Sequence, residues 1–216
     1  MFEEHSQVTR FHRAFEVPIR KRGEERMDDT EQTLRRNLIA EELKELSEGL
    51  QTLHLALPGN EEEFVAFVEV ADALADTLYV VAGTLVQGGY AFTFEDTTAA
   101  LRTILADGFN EIMMGLQHSQ ACRVRKGAAM MEIGIKGFGT IVGIDVEAVF
   151  AEVHRSNMTK LGEDGKALFR TNDGKVLKGP NYEDPQLDAL LRERYDNDYN
   201  SERTLFAERV RSVNGY

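Results

Sequence analysis

Apolar residues recur at helical spacing along most of the chain. Leu34, Leu38, Leu46, Leu50 and Leu53 form one stripe, predicting a helix from about Glu31 to Leu55 with Asp29 or Thr30 as its cap. Pro58 and Gly59 break it, and Asn60 can cap the next helix. Val65, Val68, Leu74, Leu78, Val81 and Leu85 carry that second helix, roughly Glu61 to Gln87, closed by Gly88 and Gly89. Two long helices joined by so short a turn pack as antiparallel neighbours.

The plan then repeats. "LIAEELKELSEGLQ" (Leu38 to Gln51) lies over "ILADGFNEIMMGLQ" (Ile104 to Gln117) without a gap, with five identical positions. "AGTLV" from Ala82 resembles "FGTIV" from Phe138. A second hairpin spans 96–143, and with the first (28–89) it predicts an all-α four-helix bundle within one chain. Chance similarity between two amphipathic helices is the alternative. Under this alignment Glu42 meets Gly108, Glu69 meets Arg125 and Asp72 meets Ala128, so the second hairpin is degenerate. Met113, Met114, Met130 and Met131 there read as adaptable core filler.

Beyond Gly143 the pattern changes. Asp145 can cap a helix carrying Val146, Val149, Phe150 and Val153 on one face. "ALFRTNDGKVLKGP" alternates around Asn172-Asp173-Gly174, which predicts a small β-hairpin. Pro185 to Arg194 reads as a short helix, and the tail within 186–216 fits a helix or a partner-binding arm alike.

Composition narrows the function classes. A 42% hydrophobic and 29% charged chain of 216 residues can bury a genuine core. Its net charge of −12 argues against nucleic acid as a partner, because phosphate neutralisation needs clustered Lys and Arg. It leaves a nucleotide open, since a divalent ion can invert the sign of an acidic pocket. Cys122 is the lone cysteine, so no internal disulfide forms. The opening "MFEEHSQVTRFHR" has no basic-then-apolar leader pattern, and no apolar run reads as a membrane span. The expectation is a cytoplasmic protein without a membrane partner.

Candidate chemistry lies in the acids. Glu41, Glu42 and Glu45 reach one side of the first helix, and Glu69, Asp72 and Asp76 one side of the second. The second set is embedded in "FVAFVEVADALADTLYVVAG", a helix apolar around most of its circumference. Buried carboxylates must be protonated, paired or metal-bound. Arg35 and Lys44 are too few to neutralise them. All-oxygen donors select Mg²⁺, Mn²⁺ or Ca²⁺ over zinc. A solvated, salt-bridged acidic face is the rival reading.

The arrangement Glu41-Glu42-x-x-Glu45 followed, after 23 residues, by Glu69-x-x-Asp72 resembles the EExxE…ExxD pattern of the all-α NTP pyrophosphohydrolases, the MazG-like superfamily. "SNMTK" from Ser156 and "KGPNY" from Lys178 resemble the C-terminal block (144–185) of its phosphoribosyl-ATP pyrophosphohydrolase-like branch, which includes dimeric dUTP-hydrolysing members. The resemblance implies cleavage of a nucleoside triphosphate, dUTP among the candidates, to the monophosphate and pyrophosphate. It implies Mg²⁺, or Mn²⁺, held by Glu42, Glu45, Glu69 and Asp72 with Asp76 as further support, and Glu41 as the group orienting or deprotonating water. Asn157, Lys160, Lys178 and Tyr182 become substrate contacts. Apart from the resemblance, His12 beside Phe11 in "TRFHRAF" fits a base pocket at the helix entrance, and fits a core Phe beside an exposed His at least as well. A homodimer is the expected assembly. The longer, duplicated middle segment departs from the simple family pattern. A non-catalytic helical module that senses nucleotides or dimerises is the rival from another class.

Overall fold

The computed structural model describes residues 2–21, 23–24, 26–57, 59–90, 101–162 and 165–196. Among them the regular structure is helical: α1 (Phe2–Ala14), α2 (Asp29–Leu55), α3 (Glu61–Gly88), α4 (Leu101–Gln117), α5 (Ala121–Val142), α6 (Val146–Met158) and α7 (Leu187–Arg194). None of these helices is long and apolar enough to cross a membrane.

The expected helices form, with local differences. The cap of α2 is Asp28, one residue before the expected position. Its side chain accepts from the Glu31 amide while the Glu31 carboxylate accepts from the Asp28 amide, a reciprocal pair that satisfies two otherwise orphaned donors. Asn60 caps α3 by accepting from the Glu63 amide. At its far end Gly89 adopts φ +63, and a Cβ there would lie 2.7 Å from the Lys21 carbonyl oxygen. Asp145 caps α6 through the Ala148 amide.

The two related segments each fall on the first helix of a packed pair, α2 with α3 and α4 with α5. The apolar circumference of α3 has a structural reason: besides α2 and α5, it packs against α1, α6 and α7. Four helices therefore do not complete the core. Phe64, Leu74, Leu78 and Leu85 of α3 are fully buried in it, with Phe15, Ile39, Ile135 and Phe150 brought from its neighbours. The expected β-hairpin is reduced to a single antiparallel bridge between Phe169 and Val176, and no extended strand exists among the described residues. With no sheet to join, this segment gains little from extending its ladder. Gly174, at φ +77, still makes the turn that the Asn-Asp-Gly run predicts. Most of the tail, from 197 onward, lies outside the described residues.

Candidate active site

A cavity of about 750 Å³ opens between α2 and α3 and is completed by α1, α6 and the turn around Gly174. Its acidic wall carries Glu41, Glu42 and Glu45 from α2, with Asp72 and Asp76 from α3. The same helices that bury their apolar faces on one side deliver these carboxylates on the other. Burial, then the charges of Asp76, Glu45 and Glu41, push the Glu42 carboxyl up to about 8. Burial followed by Asp72 raises Asp76 to about 7, and burial followed by Glu45 raises Asp72 to about 6. The Asp72 Oδ1 is buried and has no hydrogen-bond partner. Such a set of hard, mutually repelling oxygens fits a divalent cation, which would relieve the repulsion and use the spare lone pair.

Two expectations need correction. Glu69 does not face this cavity; it is exposed and lines a second one with Glu48, Thr52 and Val65. Gly49 lets α2 close onto Val70, and Glu69 falls on the far side of that contact from Asp72. Nor are the carboxylates gathered into a finished cage: among the described residues no three of His, Cys, Asp or Glu converge closely enough to hold a metal ion. Like charges spread when uncompensated, and Glu41 is drawn aside by Lys175, whose Nζ lies 2.6 Å from its Oε2.

Facing the acids is a basic wall. Lys160, Lys178, Arg170 and Lys175 all reach the cavity, as do Asn157 and Tyr182. Burial lowers the Lys160 ammonium from its ordinary range, opposed by Asp76. Lys178 Nζ sits 4.1 Å from the centre of the Tyr182 ring, a cation–π contact. The two sequence runs are built to dock. Ser156 Oγ donates to the Glu183 carbonyl at 2.7 Å, and the Glu183 amide donates to Thr159 Oγ1 at 2.8 Å. Gly179 lies so close to the Lys160 carbonyl that a Cβ would come within 2.6 Å of its oxygen. Ser156, Thr159 and Gly179 hold the block together, which leaves Asn157, Lys160 and Lys178 for the cavity.

Residues 8–101 match the model of the phosphoribosyl-ATP pyrophosphohydrolase family. This segment is of the MazG-like, all-α NTP pyrophosphohydrolase kind. The match takes in the acidic pairs of α2 and α3, and the family is one of hydrolases; the basic wall lies beyond it. No curated protein and no solved structure matches the chain.

At the opposite end of the cavity the MazG-like segment holds a group that sequence reading passed over. Arg35 lines the cavity while only 7% exposed, and its Nε donates to Gln87 Oε1 at 2.6 Å. His12 lies beside it, 2% exposed, with Nδ1 3.1 Å from the Pro18 carbonyl. Burial, then the Arg35 charge, lowers its imidazole to about 3. Arg35 stood out in the sequence only as a scarce cation; Gly83, which makes room for it, gave no signal in isolation. Lys175 and Arg170 were hidden inside the predicted β-hairpin.

The repeat clarifies the contrast. Glu111, the counterpart of Glu45, is paired with Arg123 at 2.8 Å on the surface, and Glu132, the counterpart of Asp76, meets Lys136 at 3.3 Å. Glu111 and Glu132 thus each have a cation beside them, and in the first hairpin Glu41 has Lys175, whereas no ion pair forms at Glu42, Glu45, Asp72 or Asp76 among the described residues.

Proposed function

We propose that the chain is a Mg²⁺-dependent nucleoside triphosphate pyrophosphohydrolase, Mn²⁺ serving as an alternative, which releases the monophosphate and pyrophosphate. The observation that supports this reading is the meeting of a carboxylate wall, in which Glu41 alone is paired with a lysine, with a wall of lysines across one nucleotide-sized cavity. Glu42, Glu45, Asp72 and Asp76 are the residues that would hold the ion. Bound there, it supplies positive charge to the phosphate oxygens and acidifies water. Lys160, Lys175 and Lys178 bind and orient the phosphates as point charges, and Asn157 and Tyr182 hydrogen-bond the nucleoside side of the substrate.

Glu41 is the general base of the proposal. It takes a proton from water as that oxygen bonds to phosphorus, while the α–β anhydride P–O bond breaks and pyrophosphate leaves with the bonding electrons. Lys175, which holds Glu41 in the structure, is placed to exchange this carboxylate for a phosphate oxygen. The assembly proposed is a homodimer. Exposed Leu55 and Leu57 at the α2–α3 turn, each 72% accessible, supply an apolar surface for it.

Pyrophosphate release should be measured across a nucleotide panel with Mg²⁺, Mn²⁺ and chelator. Turnover that requires the ion and vanishes in Glu45→Ala and Asp72→Ala, with helicity by circular dichroism unchanged, is the expected result. Full activity in either variant, or in chelator, overturns the assignment.

A further inference from the structure

The cavity has two chemically different ends. Along α2, Glu42 and Arg35 are seven residues apart, and along α3 so are Asp76 and Gly83, so both walls advance about 10 Å between the ends. That is the scale of a nucleoside between its phosphate and the edge of its base. Leu38, Val80 and Tyr79 line the passage, and Phe11 stands edge-on to the Tyr79 ring with centroids 5.7 Å apart. Flat, apolar walls of this kind suit a base.

The far end is built around Arg35. Its Nε is spent on Gln87, a neutral amide. Glu31, the carboxylate that acts on it electrostatically, is already engaged: it accepts from Arg20 at 2.7 and 2.9 Å, from the Asp28 amide and from Gln87 Nε2. No described carboxylate forms an ion pair with Arg35. A buried guanidinium without a paired anion is costly unless something else accepts its protons. Gly83 leaves the space for it, since a Cβ there would stand 2.8 Å from Nη1 and 3.4 Å from Nε2 of His12. The two polar atoms therefore flank one small patch of the cavity wall.

Their hydrogen-bond roles are fixed. A carbonyl oxygen only accepts, so His12 Nδ1 carries the hydrogen that it gives to Pro18. The depressed imidazole is neutral, which leaves Nε2 as an acceptor. Arg35 can only donate.

We propose that Arg35 and His12 read the base, and that they select one whose exposed edge carries a carbonyl beside a ring N–H. The carbonyl accepts from the Arg35 terminal nitrogens and the ring N–H donates to His12 Nε2. Uracil, thymine, hypoxanthine and guanine have such an edge. Cytosine and adenine place an amino group where the carbonyl should be, setting N–H against N–H. The selection rests on the proposed nucleotide reaction for its setting, but it is a statement about binding.

Calorimetric titration with monophosphates separates the two. Isosteric pairs, dUMP against dCMP and IMP against AMP, differ at the decisive substituent. The expected preference for the carbonyl member of at least one pair is about tenfold or more, and the pair that shows it identifies pyrimidine or purine. Arg35→Met should bring that ratio close to one, and Gly83→Ala, which presses on Nη1, should do likewise. Equal binding of both members by the unaltered protein overturns the proposal, whether or not either variant folds. So does an Arg35→Met protein that weakens both members alike, because a purely structural arginine would do that. Carbonyl selectivity without pyrophosphate release would sink the reaction and leave the base reading standing. Release without selectivity would do the reverse.

Discussion

Glu42 sits where burial and three neighbouring carboxylates act together. With its carboxyl pushed up to about 8, Glu42 must take up a proton on folding at neutral pH, a cost that a neutral isostere does not carry, so the isostere should relieve the folded state. In chelator at neutral pH, Glu42→Gln is expected to raise the thermal midpoint by roughly 2–4 °C, the response to about 1 kcal/mol in a chain of this length. The same variant should lose most of the stabilisation that Mg²⁺ gives the unaltered protein. Scanning fluorimetry with and without the ion checks both halves, and an unchanged Mg²⁺ response in Glu42→Gln argues against Glu42 as a ligand. At Asp72 the relevant feature is the unpartnered Oδ1. Asp72→Asn keeps the shape and loses a charge, and should cost metal affinity before it costs helix content.

Between elements, two contacts make separable predictions. Lys136 of α5 reaches Glu4 of α1 at 2.6 Å and Glu147 of α6 at 3.1 Å. Burial alone would raise the Glu4 carboxyl, but the hydrogen bond and charge of Lys136 prevail and lower it to about 2. A carboxyl depressed on folding stabilises the fold fully above its unfolded pKa of about 4.5, and that stability is lost as pH falls towards 2. Lys136→Met should therefore move the acid-unfolding midpoint to higher pH while changing stability less at pH below 2. The second contact is Gly179 against the Lys160 carbonyl. Gly179→Ala must displace the run carrying Lys178 and Tyr182 from α6. On the proposed function its KM should rise at least several-fold with little change in helical content, because the affected backbone lies outside the helices.

For the whole molecule the degenerate hairpin is the telling part. Glu111 is paired with Arg123 and Glu132 with Lys136, and Gly108 stands where the first hairpin has a carboxylate, so α4 and α5 are expected to pack the core without forming a second reaction centre. Glu111→Gln is expected to leave turnover unaltered and to cost less than about 1 kcal/mol of stability, the usual worth of an exposed pair. Loss of turnover in that variant would mean that α4 and α5 contribute chemistry. Light scattering of the intact chain tests the proposed homodimer, and Leu57→Lys should shift it to monomer if the apolar turn is the contact.

Much of this was legible one-dimensionally. Helical spacing placed α2, α3 and α6 within a few residues, because each carries an apolar stripe that must be buried whatever it meets. Carboxylates on one side of a helix come from the same geometry, so the acid wall was readable apart from Glu69. Its fate was not, because that depends on where Gly49 lets α2 cross Val70, a property of two helices together. The hairpin around Gly174 showed a turn and an alternating pattern, but strand formation needs a neighbouring edge that the local pattern does not contain. Arg35, Gly83, Gln87 and His12 form one constellation from three helices, with no spacing to betray it. Local periodicity determines which face of each helix is buried and which acids travel with it. Only packing decides which buried charge finds a partner, because that is a matter of through-space distance and not of separation along the chain.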